Sequence, residues 1–367
     1  MASRRFRSGP DSSRVARELR SAIGAGRFPT GQFLPCTRDL GRQHKVSAET
    51  VRRALKAMEV EGLIAAEPRH GFQVIRRPKD AKAPAVAYVL AEWDPEKPHG
   101  FSALMLSAFQ RASGRGGTTL VGLGDSGGDP GPLVEQLRKA EAGGIVLDSP
   151  NAALFESLGK LGLPMVVAES WDPARGVDSV IQDNFSGALQ AAEHLAARGH
   201  KRIGWAGPTI ESIQAVERWG GAVAGLRRRG LEIPAELVAG DVNMRNIEAA
   251  QALLARPDRP TAVIALWANV ATAVARAAAN LGLELGRDLE LVGWATEEEF
   301  ESYQGFFPGG RAPATVTWRI ETLAEMALAR LAERRANPHL PPARINVEAR
   351  LRPADALPPA GANGGTP

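Results

Sequence analysis

Apolar positions fall into two regimes along the chain. From residue 85 onward, short apolar runs alternate with longer stretches of helical period. Val86–Leu90, Thr119–Leu123, Gly144–Leu147 and Met165–Ala168 read as strands, as do Ser179–Ile181, Arg202–Trp205, Ala262–Ala265 and Leu289–Val292. Helical stretches separate them at Ser102–Ala112, Gly131–Ala142, Ala152–Leu161, Ser186–Arg198, Ala215–Gly230 and Val270–Leu281. Short buried strands alternating with helices predict parallel sheets with helices on both faces, an α/β architecture. Ligands of such sheets bind beyond the carboxyl ends of the strands.

Residues 28–76 follow a different pattern. Leu34-Pro35 leads into a short helix whose main apolar contact is Leu40, and His44-Lys45 form a turn. Ser47 is placed as the N-cap of a second helix, which sets Val51, Leu55 and Met58 on one face at i, i+4 and i+7. Its other face shows Glu49, Arg52, Arg53 and Lys56. Leu63–Ala66 and Phe72–Ile75, joined through Pro68-Arg69-His70-Gly71, predict a β-wing with a basic tip. A short helix followed by an amphipathic helix with a basic outer face is the helix-turn-helix arrangement for the major groove. The charged, proline-bounded stretch 76–84 then reads as a linker.

Charge sharpens this division. Residues 1–82 hold 18 Lys+Arg against 8 Asp+Glu, and the remainder 27 against 33, so a net charge of +4 conceals a basic front and a mildly acidic body. Neutralisation of phosphates by Lys and Arg supplies most sequence-independent affinity for DNA. The stretches GQFLPCTRDL, VSAETVRRAL, EGLI and HGFQV resemble, in order and spacing, the winged-helix domain of GntR-family transcription regulators. That resemblance implies a DNA-facing set of Arg38, Lys45, Ser47, Glu49, Thr50, Arg52 and Arg53, with Arg69, His70 and Gly71 at the wing. Ala48 and Glu49 depart from the family pattern. An acidic side chain there repels phosphate but can accept from cytosine N4, or it can serve the helix dipole.

QDNFSGALQAAEHLAARGHKRIGWAG (182–207), ERWGGAVAGLRRRGLEI (217–233) and residues 260–294 resemble the effector domain of the LacI family, as do residues 312–334 and 340–353. The resemblance implies a bilobal, periplasmic-binding-protein-like domain over 85–353 with a cleft between two parallel-sheet lobes. Lobe one would be 85–183 plus 318–340, and lobe two 184–314 plus 343–353. A GntR-like reader (13–77) on a LacI-like sensor is similar to the arabinose-responsive repressors of some bacteria. It implies a homodimeric repressor of a palindromic DNA operator, controlled by a sugar or sugar-like small molecule. The effector-facing residues would be Glu169, Asp183 and Arg218, with Trp93, Phe101, Trp171, Trp267 and Trp294 as an aromatic lining. A guanidinium can donate a bidentate pair to vicinal hydroxyls or a carboxylate, and an indole can stack on a sugar face. Two departures weigh against an ordinary sugar: Trp267-Ala268 stands where sugar-responsive members often carry Asn-Asp. Trp294-Ala295 likewise lacks the usual acid. A planar or polar non-sugar metabolite is the alternative, as is a small-molecule binder without regulatory coupling.

Several classes are set aside. No run of about 18 apolar residues predicts a membrane span, and the front of the sequence has no apolar segment of the secretory kind. A single cysteine, Cys36, allows no internal disulfide or cysteine-rich metal site, and the six histidines show no metal-ligand spacing. No G-x-G-x-x-G follows a strand, and no nucleophile–base constellation stands out, so no cofactor and no enzymatic activity are expected. The cytoplasm is the expected compartment. Residues 1–12 and 354–367, basic and Pro/Gly/Ala-rich respectively, are expected to be disordered.

Overall fold

The computed structural model describes residues 10–68, 70–76, 85–90, 100–115, 118–124, 130–148, 152–169, 176–243 and 245–354. Chain contacts divide it into residues 1–167 with 325–343, and residues 168–324 with 344–367. Much of the expected N-terminal arm, the linker and most of the tail lie outside the described residues.

The first unit opens on an element the patterning did not mark, α1 (Pro10–Gly24), which starts inside the stretch expected to be an arm. Its stripe of Val15, Leu19 and Ile23 is fully buried against Leu40, Val51, Leu55 and Met58. α2 (Thr37–His44) and α3 (Ala48–Val60) follow, then an antiparallel hairpin of β1 (Ile64–Glu67) and β2 (Gly71–Val74). Ser47 caps α3 as expected, its hydroxyl accepting from the Thr50 amide at 3.1 Å. The turn between the helices is tight because Gly41 has no side chain: a Cβ there would lie 2.9 Å from the Val46 carbonyl oxygen. Lys45 closes α2 in the left-handed region at φ 53.

The same unit then contains β3 (Val86–Leu90), α4 (Gly100–Arg115), β4 (Leu120–Gly124), α5 (Gly131–Lys139), β5 (Gly144–Asp148) and α6 (Ala152–Gly159). β3 lies between β4 and β5, parallel to both. All five residues of β3 and of β5 are buried, which is why they read as continuous apolar runs. β6 (Met165–Ala168) leads to the second unit.

That unit places β7 (Asp178–Gln182), α7 (Asn184–Ala197), β8 (Ile203–Ala206), α8 (Ile213–Arg227), β9 (Val238–Ala239) and α9 (Glu248–Leu254) in succession. β10 (Ala262–Ala265), α10 (Ala268–Asn280), β11 (Glu290–Thr296), α11 (Phe300–Gln304) and β12 (Ala314–Trp318) come next. α12 (Ile320–Ala336), β13 (Arg344–Val347) and β14 (Arg350–Arg352) complete the chain's elements. The six-stranded sheet runs β14-β12-β11-β10-β8-β9, parallel except for β14, and β13 pairs in parallel with β7. Two short helices, α9 and α11, and the two-residue β9 escaped the sequence reading because each is too short to show a period.

Helices α7 and α8 touch through their backbones. A Cβ on Gly221 would come 2.2 Å from the Phe185 carbonyl oxygen, and one on Gly225 would come 2.8 Å from that of Leu189. No rotamer change relieves a clash with backbone. Gly221→Ala is therefore expected to destabilise the protein by about 1–3 kcal/mol through overpacking, measured by urea denaturation. Gly220→Ala is the control: its Cβ would meet only the Phe185 ring edge at 3.8 Å. It should be neutral or stabilising, since alanine favours the helix.

Candidate functional site

α3 presents its charged face to solvent with Glu49, Arg52 and Arg53 all exposed. Glu49 accepts from Arg52 Nη1 at 3.0 Å and pairs with Arg53 Nε at 3.5 Å. The Thr50 hydroxyl lies 2.8 Å from that of Ser47. Arg38, Arg42 and Lys45 line a shallow open concavity together with Gly41, Val46, Ser47 and Ala48, at the start of α3. Cations and the amide end of a helix facing one hollow suit an anionic oxygen such as a DNA phosphate. Asp39 accepts from the Cys36 thiol and from Arg42, which together hold its carboxyl below its ordinary range, so it stays ionised and offsets part of the Arg42 charge, while Arg38 and Lys45 remain to face the hollow.

The turn is clamped from behind by α1. Arg14 donates to the His44 carbonyl at 3.1 Å, and the His44 ring meets Glu18 at 2.7 Å. At the wing, Gly71 adopts φ +102 and His70 lies 5.8 Å from the Phe33 ring, centroid to centroid. Arg69 lies outside the described residues.

A second constellation is buried in the other unit. Arg218, on α8, is only 2% exposed. Its Nε donates to Asn184 Oδ1 at 2.7 Å, Nη2 to Gln182 Oε1 at 2.8 Å, and Nη1 to the Leu266 carbonyl. Its guanidinium carbon lies 3.7 Å from the centre of the Trp294 ring. The Trp294 indole N–H also donates to Gln182 Oε1, at 2.6 Å, and the Gln182 amide in turn donates to Glu169 Oε2 at 2.8 Å. The orientation of Gln182 is thereby determined, since turning its amide over would set donor against donor. Burial pulls the Arg218 pKa down to about 9, while the charges of Glu169 and Glu217 oppose that shift. At neutral pH the guanidinium is protonated.

Of the residues expected to face an effector, Glu169, Arg218 and Trp294 thus meet around Gln182. Glu169 sits there with a strained backbone, φ 60, directly after β6. Asp183 is adjacent and serves as the N-cap of α7, accepting from the Ser186 amide at 3.1 Å. Trp267 precedes α10, half-buried, packed against the core of that unit. Phe101 is half-buried on α4, in the other unit. Trp93 and Trp171 lie outside the described residues. Trp205 and Trp318 are core residues, at 0% and 2% exposure.

Sequence reasoning passed over Gln182, Asn184 and the Leu266 carbonyl. The usable signal was positional: Gln182 ends β7, Leu266 follows β10 and Asn184 begins α7, all at carboxyl ends of strands. It also passed over the ion pair of Arg344 with Glu217, to which Asn184 donates at 3.4 Å. Among the described residues no cluster of His, Cys, Asp and Glu could hold a metal ion, and no helix is long and apolar enough to cross a membrane.

Comparison with known proteins finds two family models that match stretches of the chain. Residues 11–74 match the gntR family of bacterial regulatory proteins, and residues 192–355 match the periplasmic binding protein-like domain. The HTH-type transcriptional repressor PurR of Escherichia coli O139:H28 is 30% identical over 193 residues, 52% of this chain and 54% of PurR. The chain thus spans about half the length of that relative. Among solved structures, a complex of the transcriptional regulator CelR with cellobiose aligns with a TM-score of 0.63 at 23% identity. It covers 84% of this chain and 91% of CelR. The lac repressor dimer bound to operator and the anti-inducer ONPF aligns at 0.61 and 19% identity, over 74% and 93% of the two chains. These structural likenesses establish the fold.

Arg218→Ala would strip Gln182, Asn184 and the buried Leu266 carbonyl of a charged donor. A loss of about 3–5 kcal/mol, read by chemical denaturation, is expected, since each hydrogen bond to a charged group contributes about 1.5–3 kcal/mol. Arg218→Lys, which keeps the charge but not the fork, should fall between the two.

Proposed function

We propose that this chain, a gntR-family DNA-binding domain followed by a periplasmic-binding-protein-like domain, is a ligand-responsive transcription repressor. It works as a cytoplasmic homodimer on a palindromic DNA operator and carries out no chemical reaction. The observation that supports this reading best is the pairing, in one chain, of an exposed cationic helix face with a buried arginine–aromatic cluster at strand ends. The first suits DNA and the second a small molecule.

The effector binds at the Arg218–Gln182–Trp294 cluster. Arg218 already uses three of its five N–H donors on the protein, which leaves donors for a ligand oxygen without surrendering the fold's own bonds. A sugar or sugar-like molecule is the first reading, with hydroxyls on the guanidinium and an apolar ring face on an indole. A planar non-sugar metabolite is the second. It is favoured by Ala295, which offers no carboxylate to sugar hydroxyls next to Trp294. Ligand binding shifts the chain between a state that fits paired operator half-sites and one that does not. Differential affinity of about 1–3 kcal/mol is the usual size of such coupling.

The test is thermal stability of the purified protein against sugars, sugar acids, nucleosides and amino acids, followed by operator binding with and without the hit. A ligand at about 100 times its Kd is expected to add about 2.7 kcal/mol to the folded state. Arg218→Lys should lose most of that shift. A hit that stabilises the protein yet leaves DNA binding unchanged would leave a small-molecule binder without regulatory coupling.

A further inference from the structure

Glu49 is an odd residue on a helix face that would meet polyanionic DNA. Its place in the first turn of α3 satisfies the helix dipole, but Glu49 does more than that. Its carboxylate takes Arg52 Nη1 at 3.0 Å on one oxygen and stands 3.5 Å from Arg53 Nε on the other. All three side chains are more than half exposed, so these pairs add little to folding. Their effect is on where the Arg52 guanidinium points. With one Nη1 proton engaged, the edge formed by Nε and Nη2 makes no hydrogen bond among the described residues. That edge is a two-donor fork of the spacing that guanine O6 and N7 accept.

A guanidinium on a bare helix can turn to a phosphate as readily as to a base. One tethered by a carboxylate at i−3 cannot do so without leaving that carboxylate exposed to the phosphates. The carboxylate also has a natural partner in the groove: the cytosine paired with that guanine offers its N4 donor beside O6. The Thr50 hydroxyl lies 2.8 Å from that of Ser47, a contact that occupies one of its hydrogen-bonding sites.

We propose that Glu49 and Arg52 act as one unit that selects a G·C base pair in each operator half-site. Arg52 donates to guanine O6 and N7, while Glu49 holds the guanidinium and accepts from cytosine N4. Arg53, the looser partner of Glu49, is left for the backbone. This inference rests on the DNA-binding reading above and deepens it.

The experiment is selection from a randomised duplex pool by the full-length protein and by its Glu49→Ala, Glu49→Gln and Arg52→Ala variants. All are exposed positions, and melting curves check that each variant folds. The wild type is expected to enrich an operator with an invariant G·C pair in each half-site. Arg52→Ala should lower the preference for G·C over A·T at that position by about 5- to 150-fold. Glu49→Ala should lower it by at least about fivefold while tightening binding to random DNA, because a negative charge leaves the phosphate-facing surface. Glu49→Gln should lose selectivity without the volume change. Unchanged base preference in both Glu49 variants would overturn the inference and reduce Glu49 to a helix-start charge, with DNA binding intact. Failure of the wild type to retain any duplex would overturn the regulator reading together with it.

Discussion

A guanidinium removed from water has to be answered by the protein, and the way Arg218 is answered organises the second unit. Among the described residues no carboxylate forms an ion pair with it. The Leu266 carbonyl, the amides of Asn184 and Gln182 and the Trp294 face surround it, and Gln182 relays the contact to Glu169. An amide is suited to that relay because it accepts at one end and donates at the other, and it needs no proton to do so. The cluster draws on the end of β7, the start of α7, the middle of α8, the segment after β10, and β11. Displacing any one of these removes a partner from a buried charge, so the strand ends are held in register by electrostatics as much as by the apolar core beneath them.

The DNA-reading end follows the opposite rule. Its helices are placed by Val15, Leu19, Leu40, Val51, Leu55 and Met58, all buried, and by the Gly41 turn. The charges on the outer face of α3 sit in solvent, and their pairs add little to stability. One end of the chain therefore keeps its chemistry in its core, and the other keeps chemistry and core apart. The two invite different kinds of variation: the exposed face of α3 can change by surface substitution, whereas each change around Arg218 must be compensated.

What could be read in the sequence follows the same division. α3 was legible from Val51, Leu55 and Met58 because one face is wholly apolar, and the strands from β3 to β11, β9 excepted, because buried parallel strands are unbroken runs. α1 was not, since Val15, Leu19 and Ile23 stand among arginines and serines at the edge of the expected arm, although they fall inside the reader expected over 13–77. Arg218, Glu169 and Trp294 were picked out by their positions in the LacI-family resemblance. Gln182 and Asn184 were not, because neutral amides carry no periodicity or charge signal; their importance lies in what the fold brings against them. Asp183, which the resemblance placed at a crossover, is engaged as a helix cap, a use open to an Asp directly before a helical stretch.

Gly221 and Gly225 lie one turn apart on α8, with Arg218 three residues before the first of them. Inserting or deleting one residue between Arg218 and Gly221 would turn the arginine by about 100° relative to the glycine seam. The seam itself cannot rotate to follow, because backbone lies against backbone there. Length changes in this stretch are thus closed to descendants of this chain. Variation around the arginine must arise by exchanging side chains at constant length, and the spacing from Arg218 to Gly221 should outlast the identity of the residues that answer the guanidinium.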